Sequence, residues 1–246
     1  MDAFFGERSI SLSALTDFSK LDVSTKKHLK NVYGALSLSM LSASVGAGLH
    51  LYSGLNLANQ FMQLRNTCSL LGGIGFMLGL AFTPNESKNQ MTRLGCLLGF
   101  AGCTGLSMGP LLDAVISINP SIVTTAFFAT CVIFICFTLS ALWAEERTYL
   151  YLGGTLLSGM STLFFLGLIN IFFGFQLLYQ VHLYGGLLLF CGFILYDTQL
   201  IIAKHKNGDN DFLWHSVDLF LDFINIFRRI MIILANKENK KSKKKN

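Results

Sequence analysis

Seven stretches of mainly apolar residues follow one another along this 246-residue chain, and short polar segments separate them. About 20 apolar residues in a helix cross the ~30 Å hydrocarbon core of a bilayer, where only helices and closed barrels satisfy the backbone hydrogen bonds. The stretches cover residues 32–52, 68–83, 94–112, 122–144, 149–169, 181–202 and 213–235. The sequence therefore predicts an all-α, polytopic membrane bundle of seven membrane-embedded helices.

The composition, with 52% hydrophobic and 13% charged residues, is also typical of a membrane protein. Glycines four residues apart let helices approach closely in lipid. Such pairs are Gly75/Gly79, Gly95/Gly99 and Gly105/Gly109. We expect three regions: a cytosolic N-terminal segment at 1–31, the membrane bundle at 32–235 and a disordered lysine-rich tail at 236–246.

The orientation follows from the basic residues, because short loops rich in Lys and Arg stay in the cytosol. The N-terminal segment and the even-numbered loops contain Lys20, Lys26, Lys27, Lys30, Lys88, Arg93, Arg147, Lys204 and Lys206. The odd-numbered loops contain only Arg65. We therefore expect a cytosolic N-terminus.

The C-terminal tail complicates this topology. Its lysines include Lys240, Lys241, Lys243, Lys244 and Lys245, and a basic cluster of this kind favours the cytosol and contact with anionic lipid headgroups. Seven crossings from a cytosolic N-terminus would place it on the other side. Two alternatives stay open: the last segment spans the membrane, or it re-enters and returns the tail to the cytosol.

Three aspartates lie within stretches that are otherwise apolar: Asp197, Asp218 and Asp222. An ionisable residue at membrane depth costs at least ~2.5–3.5 kcal/mol, so it marks a candidate functional site. Residues four apart share one face of a helix. Asp218 and Asp222 therefore begin a polar stripe that continues to Asn225 and Arg229, and His215 lies close beside it.

Two segments surround these aspartates. The first is Gly-Phe-Ile-Leu-Tyr-Asp-Thr-Gln-Leu-Ile-Ile at 192–202. The second is Trp-His-Ser-Val-Asp-Leu-Phe-Leu-Asp-Phe-Ile-Asn-Ile-Phe-Arg-Arg at 214–229. Both resemble the signature of the Bax inhibitor-1 family. Residues 25–33, 119–127 and 136–142 are similar to its endoplasmic reticulum member and extend the resemblance along nearly the whole chain.

This resemblance implies a bundle of six or seven helices in the endoplasmic reticulum membrane that suppresses cell death and leaks Ca2+ in a pH-dependent way. In bacterial relatives an aspartate pair joins the last two helices as a pH-sensing latch. The motif match places that pair at Asp197 and Asp222. The relatives also carry an arginine partner on the second helix, and the corresponding stretch here, 68–83, contains none.

Two carboxyl groups in a low-dielectric site share a proton because ionising both is costly. Acid then closes such a pair and alkali opens it. Ca2+ prefers six to eight oxygen ligands and competes with protons for them. We therefore hypothesise that Asp197 and Asp222 form a proton-sensing gate that binds Ca2+ transiently, and that Asp218 attracts the cation.

Other roles for these residues stay open on sequence alone. Asp197 is also compatible with the beginning of a loop, since Lys204 follows soon after, and Asp218 with an interfacial charge. Arg229 lies about two turns from Asp222, so we interpret it as reaching the headgroups rather than pairing.

The sequence does not fit two rival classes of function. An intramembrane aspartic protease needs glycine beside its second aspartate, whereas Leu221 precedes Asp222. A metallohydrolase needs converging ligands, whereas the five histidines are scattered over helix ends and loops, and we interpret most of them as interfacial. We therefore expect no enzyme, no cofactor and no nucleic-acid partner.

A non-conducting scaffold that binds Bcl-2 relatives or reticulum Ca2+ channels stays open beside the leak. The oligomeric state is not predicted.

Overall fold

The computed structural model describes residues 22–54, 59–144 and 148–245, and within them it contains α-helices and no strands. The eight described helices are α1 (Val23–Gly54), α2 (Asn59–Phe82), α3 (Gln90–Ser107), α4 (Gly109–Ile118), α5 (Ser121–Trp143), α6 (Leu152–Phe173), α7 (Gln176–Lys206) and α8 (Phe212–Lys245). A short 3₁₀ turn, Ser87–Asn89, precedes α3. The all-α fold is confirmed.

Four of these helices, α1, α5, α6 and α7, are long and apolar enough to cross a membrane. The pair α3 and α4 makes a fifth if the two count as one bent span, and α2 contributes a shorter apolar stretch, Thr67–Phe82. A polytopic helical membrane bundle is therefore confirmed, while the number of seven crossings stays a prediction.

The predicted segment 94–112 is two helices instead of one. They meet at Met108, and the axes differ by 42°. Pro110 explains the break: it lies in the first turn of α4, where a missing N–H costs nothing, and it cannot continue α3 because its ring clashes with the preceding turn.

The first helix begins earlier than predicted, at Val23 instead of residue 32. Its 32 residues make it roughly 48 Å long, which exceeds the hydrocarbon thickness. The additional turns are anchored because Thr25, His28 and Leu29 are buried. Part of the predicted N-terminal segment therefore belongs to the bundle, and residues 1–21 lie outside the described part.

The last helix, α8, is the centre of the bundle. Leu219, Phe220 and Ile226 on it are fully buried, and α1, α5 and α7 pack against it. Many large apolar side chains of α6, among them Phe164, Phe165 and Ile171, are exposed instead, as expected for a surface in lipid. A polar stripe is tolerated on α8 because other helices surround it.

Whether the last segment spans the membrane or re-enters stays a prediction, since α8 is not among the described helices that are apolar enough to count as membrane spans. Helix α8 is uninterrupted over 34 residues, about 50 Å. The helix also continues through residues 236–245, which we expected to be disordered. Lys and Glu favour helix, and cations near a C-terminus complement the helix dipole. Lys240 and Lys241 are exposed, while the side chains of Lys243, Lys244 and Lys245 lie outside the described part.

Candidate functional site

The helix pair α7 and α8 brings Asp197 and Asp222 to the same depth. The two helices are joined by the short loop 207–211 and pack against each other. Asp197 lies nine residues before the end of α7, and Asp222 lies ten residues after the beginning of α8. In an antiparallel pair these positions face each other, roughly 14 Å from the loop.

The carboxyl groups of Asp197 and Asp222 are in hydrogen-bonding contact. Asp222 is buried, with 4% of its surface exposed, and Asp197 is half-buried. No hydrogen-bond donor among the described residues reaches the buried Oδ2 of Asp222. A contact between two carboxyl groups requires a proton between them, because two anions at this separation repel each other.

Asp218 completes an acidic cluster, which we define as Asp197, Asp218 and Asp222. It is half-buried, lies one turn closer to the loop and interacts electrostatically with both other carboxyl groups. The structure therefore brings together the three aspartates that the sequence singled out. The loop-start alternative for Asp197 is wrong, because the helix continues to Lys206.

The C-terminal residues of the polar stripe, Asn225 and Arg229, have partners outside the acidic cluster. Asn225 donates to the Leu221 carbonyl at 2.9 Å, and Arg229 donates to Asn225 Oδ1 at 3.2 Å. The Arg229 guanidinium lies over the Phe190 ring, 4.6 Å from its centre, and close against Gly186. Arg229 thus packs inward on α7, where we expected it to reach the headgroups, because the missing side chain of Gly186 leaves room for it.

Three histidines that the sequence did not connect meet at the loop end of the bundle. We call His28 on α1, His205 on α7 and His215 on α8 the histidine triad. The rings of His28 and His205 are stacked, with centres 4.3 Å apart and planes within 10°. His28 Nε2 lies 3.0 Å from His215 Nδ1. His28 and His215 are buried.

Part of this cluster was visible in the sequence. His205 and His215 each lie within about one turn of loop 207–211, so an antiparallel hairpin brings them together. Nothing local indicates that His28, 187 residues from His215, joins them. The interpretation of these three histidines as scattered was wrong, because their rings contact one another.

An ion pair fixes the beginning of α8 beside the triad. Arg93 on α3 is buried and donates from both terminal nitrogens to Asp211, at 2.9 and 2.5 Å. Asp211 Oδ1 also accepts the Trp214 N–H at 3.1 Å, as a helix-capping residue does. The sequence predicted Arg93 only as a loop charge. The structure instead places Arg93 on α3 with Asp211 as its partner.

The loop between α7 and α8 also contains a partly exposed carboxylate, Asp209. The Asp211 backbone N–H donates to Asp209 Oδ1 at 3.0 Å, and this hydrogen bond holds the pKa of Asp209 below its ordinary value. Asp209 Oδ2 lies 3.5 Å from His215 Nε2, and the side chain is 47% exposed. The histidine triad therefore has an ionised carboxylate on its outer side.

A second buried polar contact marks the other end of α1. His50 is fully buried, and its Nε2 lies 2.9 Å from Asp113 Oδ2 on α4. His28 and His50 are 22 residues apart on one helix, or roughly 33 Å, about one hydrocarbon thickness.

No group of three or more potential ligands among the described residues is arranged to hold a metal ion.

The fold and the buried acidic cluster define a class: multi-pass helical membrane proteins with ionisable groups inside the bundle. Comparison with known proteins identifies the family. Residues 25–239 match the family model described as inhibitor of apoptosis-promoting Bax1.

Three relatives show how close the similarity is. The chain is 51% identical to probable Bax inhibitor 1 of Paralichthys olivaceus over 240 residues, which cover 97% of this chain and 98% of the relative. It is 49% identical to Bax inhibitor 1 of Bos taurus and 47% identical to Bax inhibitor 1 of Homo sapiens, each over 239 residues with the same coverage. The chain belongs to the Bax inhibitor 1 family.

Proposed function

We propose that the protein is a pH-dependent Ca2+ leak of the endoplasmic reticulum membrane and that it suppresses cell death by limiting the Ca2+ content of the store. The single observation that supports the leak is the contact between the carboxyl groups of Asp197 and Asp222 inside an apolar bundle. The family description and the names of the relatives support a role in restraining Bax-dependent death.

The gate acts through a shared proton. With one proton between them, Asp197 and Asp222 attract each other and hold α7 against α8. Loss of that proton leaves two anions in contact at low dielectric, where their repulsion is far larger than in water. The helices then separate at this depth, so the leak increases as the pH rises through the titration of the pair.

The opened pair supplies ligands of the kind that Ca2+ prefers. Two carboxylates provide up to four oxygens, and backbone carbonyls and water complete a shell of six to eight. Asp218, one turn towards the loop, raises the local concentration of the cation before it reaches the pair. Binding is transient because the ion and the proton compete for the same oxygens. This activity is transport and not catalysis.

Ca2+ flux from liposomes that contain only this protein tests the proposal. Vesicles loaded with Ca2+ and an indicator are measured between pH 6 and 8. We expect flux from the wild type to rise with pH, and Asp222→Asn to lose this dependence, because an asparagine amide donates to Asp197 at every pH. Asp113→Asn is the matched control, since it removes a carboxylate far from the acidic cluster, and it should keep the wild-type profile.

The outcomes separate the alternatives. A full pH response in Asp222→Asn would overturn the role of the pair. No flux from the pure wild-type protein at any pH would overturn conduction and leave the scaffold, which acts by contact with Bcl-2 relatives or reticulum Ca2+ channels.

A further inference from the structure

We infer that the histidine triad is a second proton-binding site, separate from the acidic cluster, that locks α1 onto α7 and α8 and releases it in acid. The triad joins three helices through side chains that are far apart in the sequence: His28, His205 and His215. Each contact in it depends on how many protons the rings carry.

The hydrogen bond between His28 and His215 limits the charge of the triad. His28 Nε2 and His215 Nδ1 are 3.0 Å apart, so one nitrogen carries the hydrogen and the other accepts it. The accepting ring is therefore neutral, since protonated imidazole has only donors. If both rings are protonated, the two nitrogens each present a hydrogen and the contact is lost.

The stacked pair limits the charge further. The rings of His28 and His205 lie face to face at 4.3 Å, and two imidazolium rings in this arrangement repel each other. His205 Nε2 is 3.1 Å from Ser24 Oγ, a partner that donates or accepts as the ring requires. Neutral rings thus hold α1 in place, and a second proton opposes both contacts.

The surrounding charges compensate for one proton and not for more. The charged groups that act on the triad are Lys204 from α7 and Asp209 and Asp211 from the loop. Arg93 from α3 is paired with Asp211, and Asp218 follows His215 by three residues on α8. The lysines of α1 near the triad, Lys26, Lys27 and Lys30, are exposed. Arg93 neutralises Asp211 and Lys204 opposes further positive charge, which leaves Asp209 as the main compensating anion.

The position of the triad gives it a role in access to the acidic cluster. His215 precedes Asp218 by three residues and Asp222 by seven, about 4.5 and 10 Å along α8 and on a similar face. The triad therefore lies between the loop end of the bundle and the carboxyl pair. Release of α1 there exposes the polar face of α8 to water in acid, where the protonated carboxyl pair still keeps the leak closed.

Distances between spin labels measure this release directly. Labels at Lys27→Cys on α1 and Asn207→Cys in the loop occupy exposed positions, in a chain whose six native cysteines are replaced by alanine. We expect one short distance at pH 8 and an additional, longer component at pH 5.

Two substitutions together keep a hydrogen bond between positions 28 and 215 and remove the two imidazole rings that take up protons there. His28→Gln places an amide near Nε2, and His215→Asn places one near Nδ1, so both together should hold the short distance at pH 5. His182→Gln, which changes a histidine of α7 outside the triad, should respond as the wild type does. An unchanged distance in the wild type between pH 8 and 5, or an acid response that survives in the double variant, would overturn the inference.

A second measurement applies if the double variant does not fold. In wild-type protein labelled with 15N-histidine, the imidazole shifts of His28 and His215 should report a neutral donor and acceptor pair at pH 8 and charged rings at the pH where the distance changes. If the rings stay neutral at that pH, protonation of the triad is not what releases α1.

The inference rests on the proposed function only for its effect on the leak. The label distances require no Ca2+ flux, and Asp222→Asn should keep the acid-induced change in distance while losing the pH dependence of flux. Loss of the distance change in Asp222→Asn would assign the switch to the acidic cluster instead.

Discussion

Arg93 of α3 and Asp211 at the beginning of α8 form a two-bond ion pair, with N–O distances of 2.9 and 2.5 Å. The arginine is 3% exposed and the aspartate 20%. The pair holds the loop end of the central helix in a fixed position. Because α8 carries residues of both the histidine triad and the acidic cluster, the ion pair also helps to fix the positions of these two clusters.

Removing one partner of this pair should destabilise the protein strongly. Asp211→Asn leaves the buried Arg93 guanidinium without its counter-charge, and we expect a loss of about 3 kcal/mol in the free energy of unfolding. The free energy of unfolding is measured by denaturing the purified protein in detergent. The double change Arg93→Met with Asp211→Asn should be less destabilised than Asp211→Asn alone, and equal or greater damage would show that the charge balance is not the cause.

Gly186→Ala should displace Arg229, because the guanidinium lies where the added Cβ would stand. A Cβ there would lie 2.3 Å from Arg229 Nε, so the guanidinium must leave the Phe190 ring. The adjacent Gly185 is the control, since a Cβ there would meet only Leu163 at an ordinary 3.7 Å. We expect Gly185→Ala to be neutral or up to ~1 kcal/mol more stable and Gly186→Ala to lower the melting temperature. Equal effects would contradict this packing.

Gly105 allows the backbones of α1 and α3 to touch. A Cβ at this position would lie 2.0 Å from the Ala43 carbonyl oxygen, and backbone does not yield as a flexible side chain does. We predict that Gly105→Ala costs about 1–3 kcal/mol by forcing the helices apart. On the same helix, a Cβ on Gly95 meets nothing within 4 Å, so Gly95→Ala should have little effect in the same thermal assay.

The two carboxyl groups of the pair should act as one unit. Asp197→Asn should abolish the pH dependence of Ca2+ flux as Asp222→Asn does, and the double variant should be no worse than either single one, because each change removes the same shared proton. Additive losses would indicate independent roles.

The loop carboxylate should set the pH at which α1 is released. Asp209 faces His215 at 3.5 Å, and its lowered pKa keeps it ionised in mild acid. An anion favours the protonated ring, so its removal in Asp209→Asn makes protonation harder. We expect the change in label distance between α1 and the loop to move to lower pH. A shift to higher pH would mean that Asp209 opposes the release.

Several elements of the fold followed from local patterns, and the two departures have different causes, one local and one tertiary. The apolar segments predicted α5, α6 and α7 to within a few residues at most ends, because hydropathy and helix length are properties of the segment itself. The break at Pro110 and the additional turns of α1 before residue 32 were missed, since a long apolar run concealed the first and contacts with α7 and α8 stabilise the second.

The meeting of Asp197 with Asp222 was predictable from their similar distance to one short loop. The inward path of Arg229 was not, because it depends on space at Gly186 on another helix.

The amino-acid sequence by itself determined that this protein is a helical membrane bundle with acidic residues within it, since the polarity and spacing of side chains dictate which segments leave water. Only the tertiary structure decided which polar groups are partners. His28 reaches His205 and His215, and Arg93 reaches Asp211 across 118 residues, because helix packing sets those contacts and no local pattern encodes them.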